Sequence, residues 1–381
     1  MHTAKNWRRL LCICLLSLLL FTEAVVPASA AQEPVAYLQA SYTNPLCGNS
    51  QTAVTRGTVK SAVCRDSVQE AAKDLLQGMK NRETTIYVTF LAPDCQREQL
   101  DMLLEEALVH NGDPAGGDYL YKHLAGWSAS ATAWLQNGEY RIEATCNMRY
   151  LSTAAQEKAV DKAVKGLLDQ LNVYHADDYQ KVSAIYDYMC ANIQYDYAGL
   201  EANTELCHTA YAALINGKSV CQGYASLFYR LAMELGVDTR VVSGFSSGER
   251  HAWNIVKLDG VYYNLDATWD AGYGSREFFL KCDANFPNHT RESKYATESF
   301  YRTYPMSPRD YTPGQGALPG DLDGRNGVTE DDAIYLLQYV LMPDLFPIEQ
   351  YADYDNNNVV DEDDAIYLLQ HVLMPELFPI T

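Results

Sequence analysis

The chain has 381 residues, 48% of them hydrophobic, with 29 basic side chains against 49 acidic ones and a formal net charge of −20. That length accommodates two to three domains, and the charge excludes nucleic acid or an anionic membrane surface as the main partner. The acidity is uneven: residues 320–381 hold 14 Asp or Glu against one Arg, so −13 of the −20 belongs to the C-terminal end.

In chain order, residues 1–30 start with Lys5, Arg8 and Arg9, run through the apolar stretch Leu10–Phe21 and end at Ala28-Ser29-Ala30. That is the pattern of a secretory signal peptide cleaved after Ala30. No later stretch is long and apolar enough to span a bilayer, so the expectation is a secreted, extracellular protein with no membrane partner. Eight cysteines follow the signal. Export permits disulfides, with Cys47–Cys64 and Cys190–Cys207 as short-loop candidates.

Residues 31–176 read as an N-terminal α+β accessory region. Helical spacing covers Val68–Met79, Arg97–Val109 and Thr153–Leu171, a β-rich run covers Thr84–Phe90, and Asn137-Gly138 joins Ala131–Leu135 to Tyr140–Met148 as a hairpin. His110, His123 and His175 stand isolated and read as surface or core histidines. Asp178–Gln194 is a further helix, leading into Tyr195-Asp196-Tyr197. Either tyrosine could donate to an oxyanion, against the plainer reading of aromatic packing.

The stretch Gly217-Lys218-Ser219-Val220-Cys221-Gln222-Gly223-Tyr224 then places one cysteine between a small-residue loop and a helix. Ala225, Leu227, Phe228, Leu231, Ala232 and Leu235 follow at helical spacing, and Gly236 closes it. A thiol at a helix N-terminus meets unpaired N–H groups and the positive end of the dipole, which favour the thiolate. Two β-rich runs, from His251 to Leu258 and from Val261 to Thr268, flank Asp259-Gly260, a hairpin signal with a type I′ turn. Pairing Leu258 with Val261 sets Trp253 opposite Asp266 and His251 opposite Thr268. His251 and Asp266 then become diagonal neighbours, roughly 7–8 Å apart at the backbone. An imidazole beside a carboxylate that holds its tautomer is what a nucleophilic thiol needs. Gln222 and Trp253, adjoining Cys221 and His251, are candidates for lining the cleft together with Tyr195. His208 and His289 read as structural.

GKSVCQGYASLF, HAWNIVKLDGVYYNLDATWD and the spacing between them resemble the core of the transglutaminase-like (papain-like cysteine) superfamily over roughly residues 177–300. The resemblance implies an α+β domain at residues 177–301, with the nucleophile's helix packed on an antiparallel sheet. It also implies Cys221 as nucleophile, His251 as general base and acid, and Asp266 as the residue orienting His251. No catalytic cofactor is implied. Peptidases, crosslinkers, deamidases and non-catalytic members share this triad, so a cysteine peptidase or acyltransferase is expected, with a non-catalytic binding component as the alternative.

Residues 302–319 carry six prolines and glycines, Pro305, Pro308, Pro313, Gly314, Gly316 and Pro319, a linker composition. Beyond it, Asp331–Ile348 and Asp363–Ile380 match at sixteen of eighteen positions with an offset of 32. Each copy follows an oxygen-rich loop. Asp353, Asp355, Asn357, Asp361 and Asp364 occupy positions 1, 3, 5, 9 and 12 of the second, with the Val359 carbonyl at position 7. That is the ligand order of a calcium loop. The first loop offers Asp321, Asp323, Thr329 and Asp332 at positions 1, 3, 9 and 12, with Arg325 at position 5, so this site must replace one ligand or bind more weakly. The duplicated loop–helix of residues 320–381 resembles a type I dockerin, a small all-α module. The resemblance implies calcium-dependent folding and docking to a cohesin of a cellulosomal scaffoldin. Glu330-Asp331 and Glu362-Asp363 fall at the recognition positions. The combined expectation is a secreted, cellulosome-associated cysteine enzyme acting on peptide or glutamine amides, with hydrolysis favoured over transamidation.

Overall fold

The computed structural model describes residues 34–44, 63–313, 319–322, 328–348, 352–357 and 359–380. The signal segment, Cys47, residues 314–318 of the linker and Asp323 lie outside the described residues.

The accessory region begins with β1 (Ala36–Thr43), β2 (Cys64–Arg65), α1 (Val68–Lys80), β3 (Thr85–Ala92) and α2 (Glu98–Ala107). It continues with α3 (Gly117–Lys122), β4 (Leu124–Gln136) and β5 (Glu139–Tyr150). The strands form a sheet in the order β1-β4-β5-β3-β2. Asn137 and Gly138 both take positive φ, as the Asn-Gly turn between β4 and β5 requires. Leu75 and Met79 of α1 and Leu100 and Leu103 of α2 are fully buried in one cluster with Val88, Phe90 and Ile142 of the sheet. Each such side chain contributes about 1.5–3 kcal/mol of burial.

The second core is built around a helix. Its elements are α4 (Ala154–Leu171), α5 (Asp178–Asn192), β6 (Gln194–Tyr195), α6 (Tyr197–Glu201), α7 (Ala210–Asn216), β7 (Lys218–Ser219) and α8 (Cys221–Glu234). β8 (Thr239–Ser246), β9 (Glu249–Leu258), β10 (Val261–Leu265), α9 (Ala267–Tyr273), β11 (His289–Arg291) and α10 (Glu298–Thr303) complete it. Every residue of α8 from Cys221 to Met233 is buried. A helix buried all round needs apolar partners on every side, and α8 finds them in β8 and β9 on one face and in α5 and α7 on others. Although α4 precedes residue 177, its Val160, Val164, Leu167 and Leu168 belong to this core and not to the accessory one.

The sheet order β10-β9-β8-β11 is antiparallel throughout. The hairpin register is the expected one, Val261 opposite Leu258, and Asp259 and Gly260 both take positive φ. The ladder stops at Leu265 opposite Asn254. The next residue, Asp266, caps a helix, so Thr268 is not a strand partner of His251. Residues 302–313, inside the stretch read as linker, pack on this sheet. Tyr262 N–H donates to the Pro305 carbonyl, the Tyr304 ring meets Tyr262 edge-on, and Tyr311 N–H donates to the Leu280 carbonyl. Aromatic content outweighs the prolines there.

In the C-terminal part, α11 (Glu330–Leu341) and α12 (Glu362–Leu373) pack against each other through Ala333, Leu336, Ala365 and Leu368. Both start with a capping box, Thr329 with Asp332 in one and Asp361 with Asp364 in the other. Cys190 and Cys207, expected as a bridge, are free thiols. The Cys190 thiol donates to the Ala267 carbonyl, while Cys207 sits in the turn under the nucleophile's loop, whose Val220 N–H donates to its carbonyl.

Candidate active site

The loop before α8 is held rigidly. Gly217, at φ 68°, ends α7 in the left-handed conformation and turns the chain into β7. β7 pairs in parallel with β6, placing Tyr195 beside Ser219, and the Ser219 hydroxyl donates to the Cys207 carbonyl at 2.7 Å. A Cβ on Gly223 would lie 1.8 Å from Ser219 Oγ and 2.7 Å from the Thr209 carbonyl oxygen. Only glycine lets the first turn of α8 approach the loop this closely. The result is Cys221 at the first position of α8, 6% exposed.

His251 on β9 reaches it across the sheet. Its Nε2 is 2.6 Å from Asp266 Oδ2, and Cys221 is near enough to act on the ring's charge. With Nε2 committed to Asp266, Nδ1 is the nitrogen that serves Cys221. Burial pushes the imidazole's pKa down, but the charges of Asp266 and Cys221 outweigh it and raise His251 to about 10. Burial disfavours the Asp266 carboxylate, yet His251 and a second histidine hold its pKa well below the usual range.

That second histidine is His289. Its Nε2 lies 3.1 Å from the same Asp266 Oδ2, and its Nδ1 lies 2.9 Å from the Pro287 carbonyl. Read from sequence as a structural loop residue, it sits instead on β11 against β8, in a box of Trp253, Trp269, Phe278 and Phe286. Gly244 of β8 makes the approach possible, since a Cβ there would lie 2.0 Å from the Thr290 carbonyl oxygen. Asn288-His289-Thr290 carried no periodicity to reveal this. His251, Asp266 and His289 gather within 4.8 Å, close enough for a metal ion. Because both imidazoles already share one carboxylate oxygen, the cluster satisfies itself by hydrogen bonding.

The remaining cleft candidates separate. Tyr195, half-buried, lines a cavity of about 440 Å³ with His251, Thr268 and Trp269. Trp253 does not line it. Two residues along β9 from His251, it is buried under that ring at 6.1 Å between centroids and donates through Nε1 to Asn264 Oδ1. Gln222 is fully buried: its Nε2 is spent on the Lys122 and His208 carbonyls, which ties the nucleophile's helix to α3, while the residue also lines a small cavity with His251. His208 contributes that carbonyl but is not at the triad, and burial lowers its pKa. His110 and His123 join the two cores: His110 bridges Tyr229 and Asp238, and His123 meets the Tyr119 carbonyl and the Ala210 N–H.

A buried thiol at a helix N-terminus, an imidazole at its side and a carboxylate fixing the other ring nitrogen form a cysteine-nucleophile site of the kind that makes thioacyl intermediates. Residues 165–267 match the family model described as the transglutaminase-like superfamily, and the mixed α+β core around them fits that match. The chain is 32% identical over 135 residues to the kyphoscoliosis peptidase of Homo sapiens and 31% identical over 134 residues to that of Mus musculus. Each match covers 32% of this chain and 20% of the relative, so the similarity reaches one fifth of those proteins' length. A solved TGase structure overlaps 48% of this chain and 51% of its own at 16% identity, with a TM-score of 0.28.

In the C-terminal part, Asp353, Asp355 and Asp364 bring carboxylate oxygens within 4.8 Å of one another. Asn357 N–H donates to Asp353 and Asp355, and the Asp361 N–H donates to Asp364. In the first loop, Asp321 and Asp332 are buried and Asp332 accepts from Leu322 N–H at 2.7 Å, as Asp364 does from Tyr354 N–H at 2.6 Å. Glu330, Asp331, Glu362 and Asp363 are all exposed.

Proposed function

We propose that this is a secreted cysteine enzyme that cleaves peptide or glutamine amide bonds, attached to a scaffold by its C-terminal module. Cys221 attacks the amide carbonyl as the thiolate. His251, cationic while paired with it, gives its proton to the leaving nitrogen and then activates water to release the thioacyl group. Asp266 keeps the ring turned so that Nδ1 faces the sulfur. The backbone N–H groups opening α8 donate to the oxyanion in this reading, with the Tyr195 hydroxyl, from the cavity it shares with His251, as a second donor. Hydrolysis is favoured over transfer to an amine because water is the more concentrated acceptor outside the cell. The reading rests on one observation above others, His251 held at 2.6 Å by Asp266 and with its pKa raised by Asp266 and by Cys221, which opens α8.

The module is a calcium-dependent dockerin in this reading. Asp353, Asp355, Asn357, Asp361 and Asp364 supply hard oxygens to one ion, and Asp321, Asp323, Thr329 and Asp332 to a second, weaker one. Calcium supplies charge neutralisation that lets the loops close. Exposed Ile334, Leu337, Leu341 and Leu345 of the first repeat recur as Ile366, Leu369, Leu373 and Leu377 of the second. Either face suits a cohesin, with Glu330-Asp331 or Glu362-Asp363 at the rim.

The test is alkylation of the purified protein by a thiol-directed electrophile between about pH 5 and 9, beside Cys221→Ala and His251→Ala. Selective labelling of Cys221 near neutrality, reduced at least about tenfold by His251→Ala, is expected. An inert Cys221 overturns the enzyme and leaves a binding protein on this fold.

A further inference from the structure

Lys122 ends α3, in the accessory region, yet its side chain is 96% buried beside the candidate active site, at 4% exposure. Its ammonium donates to the Ser243 hydroxyl, and no carboxylate lies within salt-bridge distance of it among the described residues. Burying a cation without an anion is costly. Burial and the neighbouring Lys294 charge push its pKa down to about 8, which leaves it protonated at neutral pH. Lys294, exposed, points over the rings of Tyr121 and Tyr295 and likewise lacks a carboxylate partner.

Both lysines line a cavity of about 30 Å³ that also touches His251, Gln222, Ser243 and Glu292. Glu292 is engaged by Arg250 at 3.1 Å, so neither lysine is paired with a carboxylate, and only the more distant charges of Asp118, Glu292 and Cys221 favour the Lys122 cation. Gln222 Oε1, buried on the same wall, has no hydrogen-bond partner. A protein of net charge −20 therefore carries a cationic pocket against its candidate histidine. Such a local inversion selects anions by focusing the field inside a low-dielectric wall. The size admits a group of a few atoms.

We propose that this cavity is a substrate subsite for a carboxylate carried next to the attacked amide, bound by Lys122 and Lys294. The proposal rests on the amide-cleaving reading above. It names the substrate class as acidic peptides, the carboxylate being a glutamate or aspartate side chain or a free C-terminus. Gln222 Oε1 accepts a peptide N–H in the same position.

The experiment uses the full chain bearing Cys221→Ala, and dye-labelled short peptides in which one glutamate is walked through a neutral sequence. Each peptide has a glutamine twin, and each is made with a free and an amidated C-terminus. At least one glutamate position, or the free terminus, is expected to tighten binding about tenfold by fluorescence polarisation. Lys294→Gln and Lys122→Met should each remove that preference, and whichever carboxylate gives it identifies the source. Since Lys294 is exposed, its variant carries the test if Lys122→Met fails to fold. Equal binding of charged and neutral twins, absence of binding by any of them, or a preference that survives Lys294→Gln overturns the subsite. Alkylation of Cys221 in the wild-type protein separates the two readings. A preference with an inert thiol keeps the subsite and removes the enzyme, while a reactive thiol without preference does the reverse.

Discussion

Asp266 serves two elements with its two oxygens. Oδ1 accepts from Thr268 and Trp269 N–H at 2.8 and 3.3 Å and so starts α9, while Oδ2 receives both histidines. Asp266→Asn keeps a good N-cap but removes the charge that raises His251. The alkaline limb of Cys221 labelling should therefore move down from about pH 10 by a unit or more, at the rate of about 1.4 kcal/mol per unit. A limb that stays in place would show that the carboxylate only shapes the backbone. The sign for stability follows from the same shift. His251 has a raised pKa, so its pairing stabilises the fold fully below its unfolded value and is lost as pH rises through about 10. Asp266 has a lowered pKa, so its contribution is present at neutrality and lost as pH falls. His289→Phe keeps the ring packing and removes one donor to that carboxylate. It should cost about 2 kcal/mol at neutral pH, and acid unfolding followed by tryptophan fluorescence should begin at a higher pH than in the wild type. An unchanged acid midpoint would reduce His289 to a packing residue.

At the scale of elements, α3 is the joint between the two cores. Asp118 is 6% exposed and grips Arg240 through both oxygens at 2.7 and 2.9 Å, and also accepts from Val241 N–H at 2.8 Å. Burial opposes the carboxylate, and Arg240 with these hydrogen bonds holds its pKa below the usual range. Asp118→Asn would leave a buried guanidinium uncompensated, so a loss of about 3–5 kcal/mol is expected in denaturant titration. Because α3 also carries Lys122, the loosening should be felt at the cationic cavity. A loss below about 0.5 kcal/mol would mean the pair is solvated in practice. The β9–β10 hairpin was legible because Asp259-Gly260 fixes a two-residue turn and thereby the register. Its end was not, since the change from Leu265 in a strand to Asp266 as a helix cap depends on Phe278, whose carbonyl accepts from the Asp266 N–H.

On the scale of the whole molecule, charge is partitioned: the C-terminal residues 320–381 hold −13 of the −20. The proposed calcium loops draw their energy from neutralising that excess. Chelation should therefore remove the helical circular-dichroism signal of α11 and α12, which are 12 residues each, and leave the thermal transition of the other cores in place. A helical signal indifferent to chelator would sink the calcium reading and return the repeat to an ordinary helix pair.

Local physics is what the sequence by itself determined. Turn chemistry fixed the hairpin register, helical spacing placed Cys221 at the start of α8, and an exact offset exposed the paired loops. These depend on residues a few positions apart, where spacing and geometry are nearly the same thing. The tertiary structure decided the rest: that His289 closes on Asp266, that Trp253 is buried beneath His251 and Gln222 is spent as a strut, and that Lys122 arrives from α3. Each follows from strand pairing or domain packing across many residues. Such long-range contacts are selected by the burial of whole faces, which leaves no periodic mark on the few polar residues it brings together.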